Sequence, residues 1–491
     1  MRIRFVVIAL LLICSLVDGQ PLPLTLEQSI KLAFKQGFAM QNASTQYQSS
    51  RENLEAELRR MRTSVALNFN LPTYNESLTN QFNPLSQRYE YYQIQTAEVQ
   101  GAIVINQPLV FSGGNLTLRQ QVLGRGQTSG PTSASHYSRD YFNNLQLQYR
   151  QPLLTPNTYR LTEERNRIAL DQAQADFTRQ QLDIVYTVTD AFYSAYQLQQ
   201  RYDIIKEQVR QNEESFQTAQ NKFNSGVVPE VDVLQSEVDL VTSRNDLLTA
   251  ERDFSRAANS FRLLLGLQID QPFSLVADPQ FAPITVDQEE AVKRALAQRS
   301  EVLRAQRTVD LRQLDIESAE AKSNLRFDLT ASYGINGTNA ELTRLFDTYG
   351  VTRGAALSLS IPLFDWGSNA LEIESARTLR QNAILSYENI QQQIRQEISD
   401  LVNRIRVAES RIHVLEKIVA VAQKGYDISL ERFKSGTISR NDLAQSQSRL
   451  TNAKLSNLSA LIDYQLALAD LKRRTLWDFE RNQPVRPSLE Q

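Results

Sequence analysis

Apolar and polar residues alternate with a period of two in three stretches of the chain. From 325 to 335, Leu325, Phe327, Leu329, Ala331, Tyr333 and Ile335 fall on one side, and Arg326, Asp328, Thr330, Ser332 and Gly334 on the other. Ala355, Leu357, Leu359, Ile361 and Leu363 oppose Ser358 and Ser360, and Leu145, Leu147, Tyr149 and Leu153 oppose Gln146, Gln148 and Arg150. This is the pattern of strands with one apolar face, predicting strands over 325–336 and 352–363 and a third through 145–153. A fourth, less regular strand is expected near Leu116, Leu118 and Val122. Each has about the 9–11 residues that a tilted strand needs to cross a bilayer. The polar segments around 126–139 and 337–351 predict exposed hairpin tips, one of them carrying His136.

Other stretches follow a helical period. Residues 25–62 predict a helix begun by Thr25 or Ser29, with Ile30, Ala33, Phe34, Leu54, Leu58 and Met61 on its apolar side. From about Thr158 to Phe223 there is neither proline nor glycine, which predicts a rod of roughly 100 Å, and Asn369 to Phe433 predicts a second one, interrupted only by Gly425. Shorter helices return over 229–265 and 439–476. All four exceed the ordinary globular helix and read as coiled-coil material.

The elements come twice. Residues 223–240, FNSGVVPEVDVLQSEVDL, and 433–450, FKSGTISRNDLAQSQSRL, match in register at Phe223 and Phe433, Ser225 and Ser435, Gly226 and Gly436, Asp232 and Asp442, Gln235 and Gln445, Ser236 and Ser446, and Leu240 and Leu450. The offset is 210 residues, and it also holds for Gly124 with Gly334 and for Gln151-Pro152-Leu153 with Ile361-Pro362-Leu363. At the helix starts, Ser29-Ile30-Lys31 and Ala291-Val292-Lys293 are 262 residues apart. The difference predicts about 52 extra residues within 65–114, a segment expected to be loop with a short strand pair. The chain therefore divides into a first repeat, 20–270, with its tip turn at 224–231, and a second, 271–491, with its tip turn at 434–441. Four strands cannot close a barrel, and an open edge in lipid leaves backbone groups unpaired. If these strands enter a membrane, assembly is required.

Composition narrows the reading. Arg2 and Arg4 precede an apolar run from Phe5 to Leu16, and small or β-branched residues surround a cut expected after Gly19, so 1–19 reads as a secretory signal. Cys14, the only cysteine, would leave with it, and no disulfide can staple the mature chain. The formal net charge of −2 argues against a nucleic-acid partner. With no cysteine left and only His136 and His413 as histidines, neither a zinc set nor a nucleophilic triad is expected, and Gly113-Gly114 and Gly124-Arg125-Gly126 lack a nucleotide-loop setting. An enzyme, a metal and a cofactor are not expected.

The repeated Phe-x-Ser-Gly tips with Asp six residues after the glycine, the run Ile361-Pro362-Leu363-Phe364-Asp365-Trp366-Gly367, and the paired helix starts at 25–40 and 285–302 resemble the outer-membrane efflux protein family, the TolC-like channel-tunnels. The resemblance covers nearly the whole mature chain. It implies a homotrimer in the outer membrane of a Gram-negative-type bacterium, in contact with outer-membrane lipid, with a 12-stranded β-barrel continued by a periplasmic barrel of 12 helices. It implies passive transport, docking on a periplasmic adaptor, and an inner-membrane pump driven by protons or ATP. By the same resemblance Asp442 lines the periplasmic constriction, with Gln445 where the family has a second acid and Asp232 as the first-repeat counterpart. Phe223, Ser225, Gly226, Val227, Phe433, Ser435, Gly436 and Thr437 would be the adaptor contacts. From the residues alone, Gly226 and Gly436 suffice as helix C-caps and Asp232 and Asp442 as acidic helix starts. A second reading is a soluble periplasmic coiled-coil scaffold or adaptor, whose strands form a sheet outside lipid.

Overall fold

A helix pair broken at a single residue opens each half. In the computed structural model, which describes residues 22–84, 86–131, 136–277, 281–323, 325–361 and 363–485, α1 (Leu26–Gln36) and α2 (Phe38–Arg60) replace the single helix expected over 25–62. The break is at Gly37, whose backbone is extended, and a Cβ there would fall 2.4 Å from the Ala33 carbonyl oxygen. Thr25 starts α1 through a capping box with Gln28. The expected signal segment and Pro362 lie outside the described residues.

After α2 the chain makes four strands in succession, β2 (Ser64–Asn83), β3 (Arg88–Leu109), β4 (Gly114–Pro131) and β5 (His136–Leu153); a short β1 (Leu22–Leu24) precedes them. Then come α3 (Thr158–Asn224) and α4 (Glu230–Leu265), and β6 (Phe273–Leu275), which pairs in parallel with β1. The second half runs α5 (Gln288–Gln298), α6 (Ser300–Ser323), β7 (Arg326–Asn339), β8 (Gly350–Ser360), α7 (Ser368–Lys434) and α8 (Arg440–Thr475). α3 and α7 each have 67 residues, and α4 and α8 each have 36. The equal lengths at a constant offset match the duplicated sequence. Among the described residues no helix is long and apolar enough to cross a membrane.

Two compact units interleave along the sequence, so each half contributes to both. One contains the six-stranded antiparallel sheet, ordered β2-β3-β4-β5-β7-β8 with no crossover. Here the sequence reading needs correction. The segment 65–114 is not a loop with a short strand pair but mainly a hairpin of 20 and 22 residues, joined along its length to β4. The copy thus has six strands rather than four, and the count of 12, which took four from each of three copies, does not follow from this chain. The expected loops at 126–139 and 337–351 are also shorter than foreseen, because β4 runs to Pro131, β5 begins at His136 and β7 runs to Asn339.

The other unit is helical. One apolar cluster gathers Leu24, Ala33, Met40, Phe192, Phe261 and Leu265, and another Ala291, Ile398, Ile405, Ile412, Tyr464 and Leu468. α8 lies between α3 and α7: Arg473 of α8 bonds Asp183 of α3 at 2.7 Å, and Arg474 pairs with Glu397 of α7. The same Glu397 accepts from Arg299 at 2.9 Å, Arg299 also meets Glu301 at 3.2 Å, and Asp470 receives both Arg473 (2.6 Å) and Arg474 (2.9 Å). Three helices and the α5–α6 joint are tied by one alternating charge network. His413 is structural, its ring edge-on to Phe281 at 5.0 Å.

Burial pushes the Glu301 carboxyl up, but the Arg299 guanidinium more than compensates and holds it below its ordinary value of 4.5. A carboxylate with a depressed folded value stabilises the fold above its unfolded pKa, and that contribution is lost as pH falls through the folded one. Thermal melts of the purified protein should therefore lose stability as pH drops below about 4.5, and Glu301→Gln should lower the melting temperature at pH 7 while flattening that acid dependence.

Candidate functional site

The sheet largely sorts its side chains by chemistry, with exceptions such as Gln120 and Asn143 on the otherwise apolar face and Ile94 and Val104 on the polar one. Following the register, Ile105 of β3 sits beside Leu118 of β4, Leu118 beside Leu147 of β5, Leu147 beside Tyr333 of β7, and Leu329 beside Leu357 of β8. These residues share one face. The other carries Glu98 beside Arg125, Arg119 beside Gln146, Gln148 beside Ser332, and Asp328 beside Ser358. On β3 the polar face is the less exposed one, as on the concave side of a curved sheet, and Glu98 and Arg125 pair there at 2.6 Å. The large exposed apolar residues Val65, Phe69, Ile103, Leu147, Tyr333 and Leu357 all lie on the opposite face. An apolar outside and a polar inside describe a wall between lipid and water.

The helical unit carries the two tips. α3 ends in a Schellman turn, with the Gly226 amide donating to the Phe223 carbonyl at 2.8 Å and the Val227 amide to that of Lys222 at 2.8 Å. α7 ends identically, Gly436 to Phe433 at 3.0 Å and Thr437 to Arg432 at 2.9 Å. The glycines have φ of +73° and +77°, with nothing within 4 Å of an added Cβ, so only the left-handed backbone requires glycine here. Ser225, Ser435, Val227 and Thr437 are exposed around these turns.

Sequence equivalence ends at the side chains. Phe223 is 38% exposed, whereas Phe433 is 5% exposed and packs with Tyr426, Leu443 and Leu450. Lys222 spans the two tips, its ammonium 4.4 Å from the centre of the Phe433 ring and bonded to the Phe433 carbonyl. Asp442 forms a capping box with Ser439: its amide donates to Ser439 Oγ at 3.2 Å, and its carboxylate accepts from the Ser439 hydroxyl at 2.8 Å and amide at 3.2 Å. Asp232 has Pro229 at the corresponding cap, and no side-chain cap bond forms. Arg440, which the sequence reading did not single out, is buried and reaches Asp239 of α4. Burial pulls its guanidinium down from its ordinary value, and the Asp232 charge opposes that shift. Gln445 is exposed one turn after Asp442. The structure therefore brings Asp232, Asp239 and Arg440 into one charged group, and leaves Asp442 and Gln445 on the solvent side of α8.

The family model of the outer membrane efflux protein matches residues 117–267 and 291–475. The chain is 23% identical over 353 residues to the probable efflux pump outer membrane protein TtgC of Pseudomonas putida, covering 70% of this chain and 69% of that one. It is 25% identical over 277 residues to outer membrane protein TolC of Escherichia coli, covering 52% and 53%. The fold is similar to the open state of the Neisseria gonorrhoeae MtrE outer membrane channel, with a TM-score of 0.67 at 18% identity over 94% of this chain and 90% of that one. These matches set aside the reading as a soluble scaffold. The chain belongs to the outer membrane efflux protein family, and is a bacterial outer-membrane channel of efflux or secretion systems with a periplasmic helical extension.

Proposed function

We propose that this chain is the passive exit duct of a tripartite system, in which a periplasmic adaptor seats on the helical tips and an inner-membrane pump supplies the energy. Membership of the family implies a trimeric channel that works with an efflux system. The observation that carries the finer reading is the pair of solvent-facing tips, built alike in backbone and leaving Phe223, Val227 and Thr437 exposed. The adaptor contact in this reading is Phe223, Ser225, Gly226 and Val227 with Ser435, Gly436 and Thr437, while Phe433 acts from inside as the support on which Lys222 rests.

The trimer seam follows from two further stripes. Val231, Leu234, Val238, Val241 and Leu248 are exposed along α4 at steps of mostly three and four residues, and Val407, Val414, Ile418, Val421 and Ile428 are exposed along α7. These are coiled-coil seams lacking their partner helices, and pairing α4 of one copy with α7 of the next covers both. The two halves, 20–270 and 271–491, are in this account tandem repeats, which a trimer turns into six tips. The gate is three Asp442 side chains around the narrow mouth, with Gln445 beside them as a neutral lining. Asp232 serves mainly to hold Arg440.

Two measurements test this. Asp442→Asn keeps an acceptor for the capping box and removes the charge, so block of single-channel current by multivalent cations in planar bilayers should weaken severalfold; unchanged block removes Asp442 from the gate. Val227→Asp combined with Thr437→Asp should leave trimers in the outer membrane but reduce copurification of the adaptor at least tenfold. Full retention of the adaptor would place its contact elsewhere.

A further inference from the structure

The hairpin β2–β3 has no counterpart in the second half, where α6 leads directly to β7 and β8. We propose that it is part of the barrel wall, and that the free edge of its β2 pairs with the free edge of β8 of the next copy, closing three copies of six strands into an eighteen-stranded barrel. The proposal rests on the trimeric channel and goes beyond it.

The side-chain pattern carries the argument. Were the hairpin an appendage in water, nothing would hold its faces to the chemistry of the rest of the sheet. Yet Val65, Leu67 and Phe69 of β2 align with Ile105, Ile103 and Gly101 of β3, on the apolar face, and Phe69 lies on Gly101, 3.3 Å from where a Cβ would sit. Asn68 and Asn70 align with Ala102 and Gln100, on the polar face. A bulge between Asn70 and Thr73 then shifts the register. Without the extra residue, strict alternation from Phe69 would carry Tyr74 and Leu78 to the water side; with it they align with Ala97 and Gln93 and stay on the apolar face, while Thr73, Asn75 and Ser77 align with Glu98, Thr96 and Ile94. The bulge thus keeps Tyr74, Leu78 and Phe82 on the apolar face, which above it also carries Glu76 and Asn80, opposite Gln95 and Tyr91. Both outer strands, β2 and β8, are exposed along their length and use only one hydrogen-bonding edge. In lipid every such group needs a partner, and the occupant that matches a β8 edge with Val351, Leu357 and Leu359 on the lipid side is a β2 edge with Val65, Leu67 and Phe69 on the same side. Barrel diameter grows roughly linearly with strand number, so the bore would be about one and a half times that of a twelve-stranded barrel.

Single cysteines in a Cys14→Ser background test both parts. In outer-membrane vesicles a membrane-impermeant maleimide should label Asn68→Cys and Asn70→Cys at least tenfold faster than Leu67→Cys and Phe69→Cys; equal labelling of all four puts the hairpin in water and overturns the proposal. For closure, Leu67→Cys with Leu357→Cys, and the neighbouring pair Val65→Cys with Leu359→Cys, are treated with a short bifunctional maleimide and compared with Leu118→Cys on β4 with Leu357→Cys. Dimer and trimer bands from the β2 pairs alone are the expected result. Bands from the β4 pair instead mean that β4 closes the barrel and the hairpin is excluded. Sedimentation of the same samples separates the readings, since monomers would overturn the trimer itself, and unlinked trimers would overturn only this closure.

Discussion

Backbone hydrogen bonding in hydrocarbon is the constraint on which the rest depends. An unpaired amide or carbonyl in lipid costs several kcal/mol, and the sheet of one copy ends in two strands whose outer edges have nothing to bond. Its antiparallel order follows the chain order, and among the described residues no further strand of the same copy joins either edge. Only another chain can do so. The helical unit makes the same demand more weakly, through the uncovered apolar stripes of α4 and α7. With one cysteine in the whole sequence there is no covalent substitute. Folding of the membrane part and assembly are therefore one event, and the duct is a property of the oligomer.

Much of this was legible from periodicity and repetition. The boundaries of α3, α4, α7 and α8 fall within a residue or two of expectation, because a left-handed glycine follows α3, α4 and α7 and a sharp change of period marks the rest, α8 ending at a left-handed Leu476. β7 and β8 were equally plain. The missed hairpin has a physical reason: the bulge after Asn70, next to Leu71 and Pro72, reverses the parity of the apolar positions, so a strict period-two reading breaks in the middle of β2. β4 was faint for another reason, since Gly124, Gly126 and Gly130 occupy its apolar face. Gly124 and Gly126 leave room for Tyr141 and Tyr137, which lie over them from β5. The strand's hydrophobic cover comes from its neighbour, and no single-strand pattern can reveal that.

The tips were legible in backbone and not in side-chain role. Matching Asp232 with Asp442 by register was correct as an alignment, yet the two carboxylates differ because residue 229 is proline and residue 439 is serine. A serine cap returns a hydroxyl to the aspartate three residues on and engages it; a proline cap offers no such group. Asp232 is then free to act on a charge from the other half, and Arg440 supplies it. The sequence held a hint in position 440, where the second repeat has arginine and the first has Glu230, but only the packing of α8 beside α4 gives that exchange a meaning.

In the proposed trimer, this asymmetry bears on how a duplicated chain would make a threefold mouth. Six equivalent tips would place six like charges on one ring, and like charges gathered at a constriction repel one another and resist closure. Burying Arg440 against Asp239 and beside Asp232 neutralises the first-repeat acid locally, while the capping box keeps the second-repeat acid at the surface. The repeats thus share one backbone turn and divide its chemistry, one tip bracing its neighbour and the other presenting a carboxylate. A change at Arg440 should consequently act in two ways, by releasing a buried counter-charge and by freeing Asp232, and its effect on the mouth should exceed that of neutralising Asp232 alone.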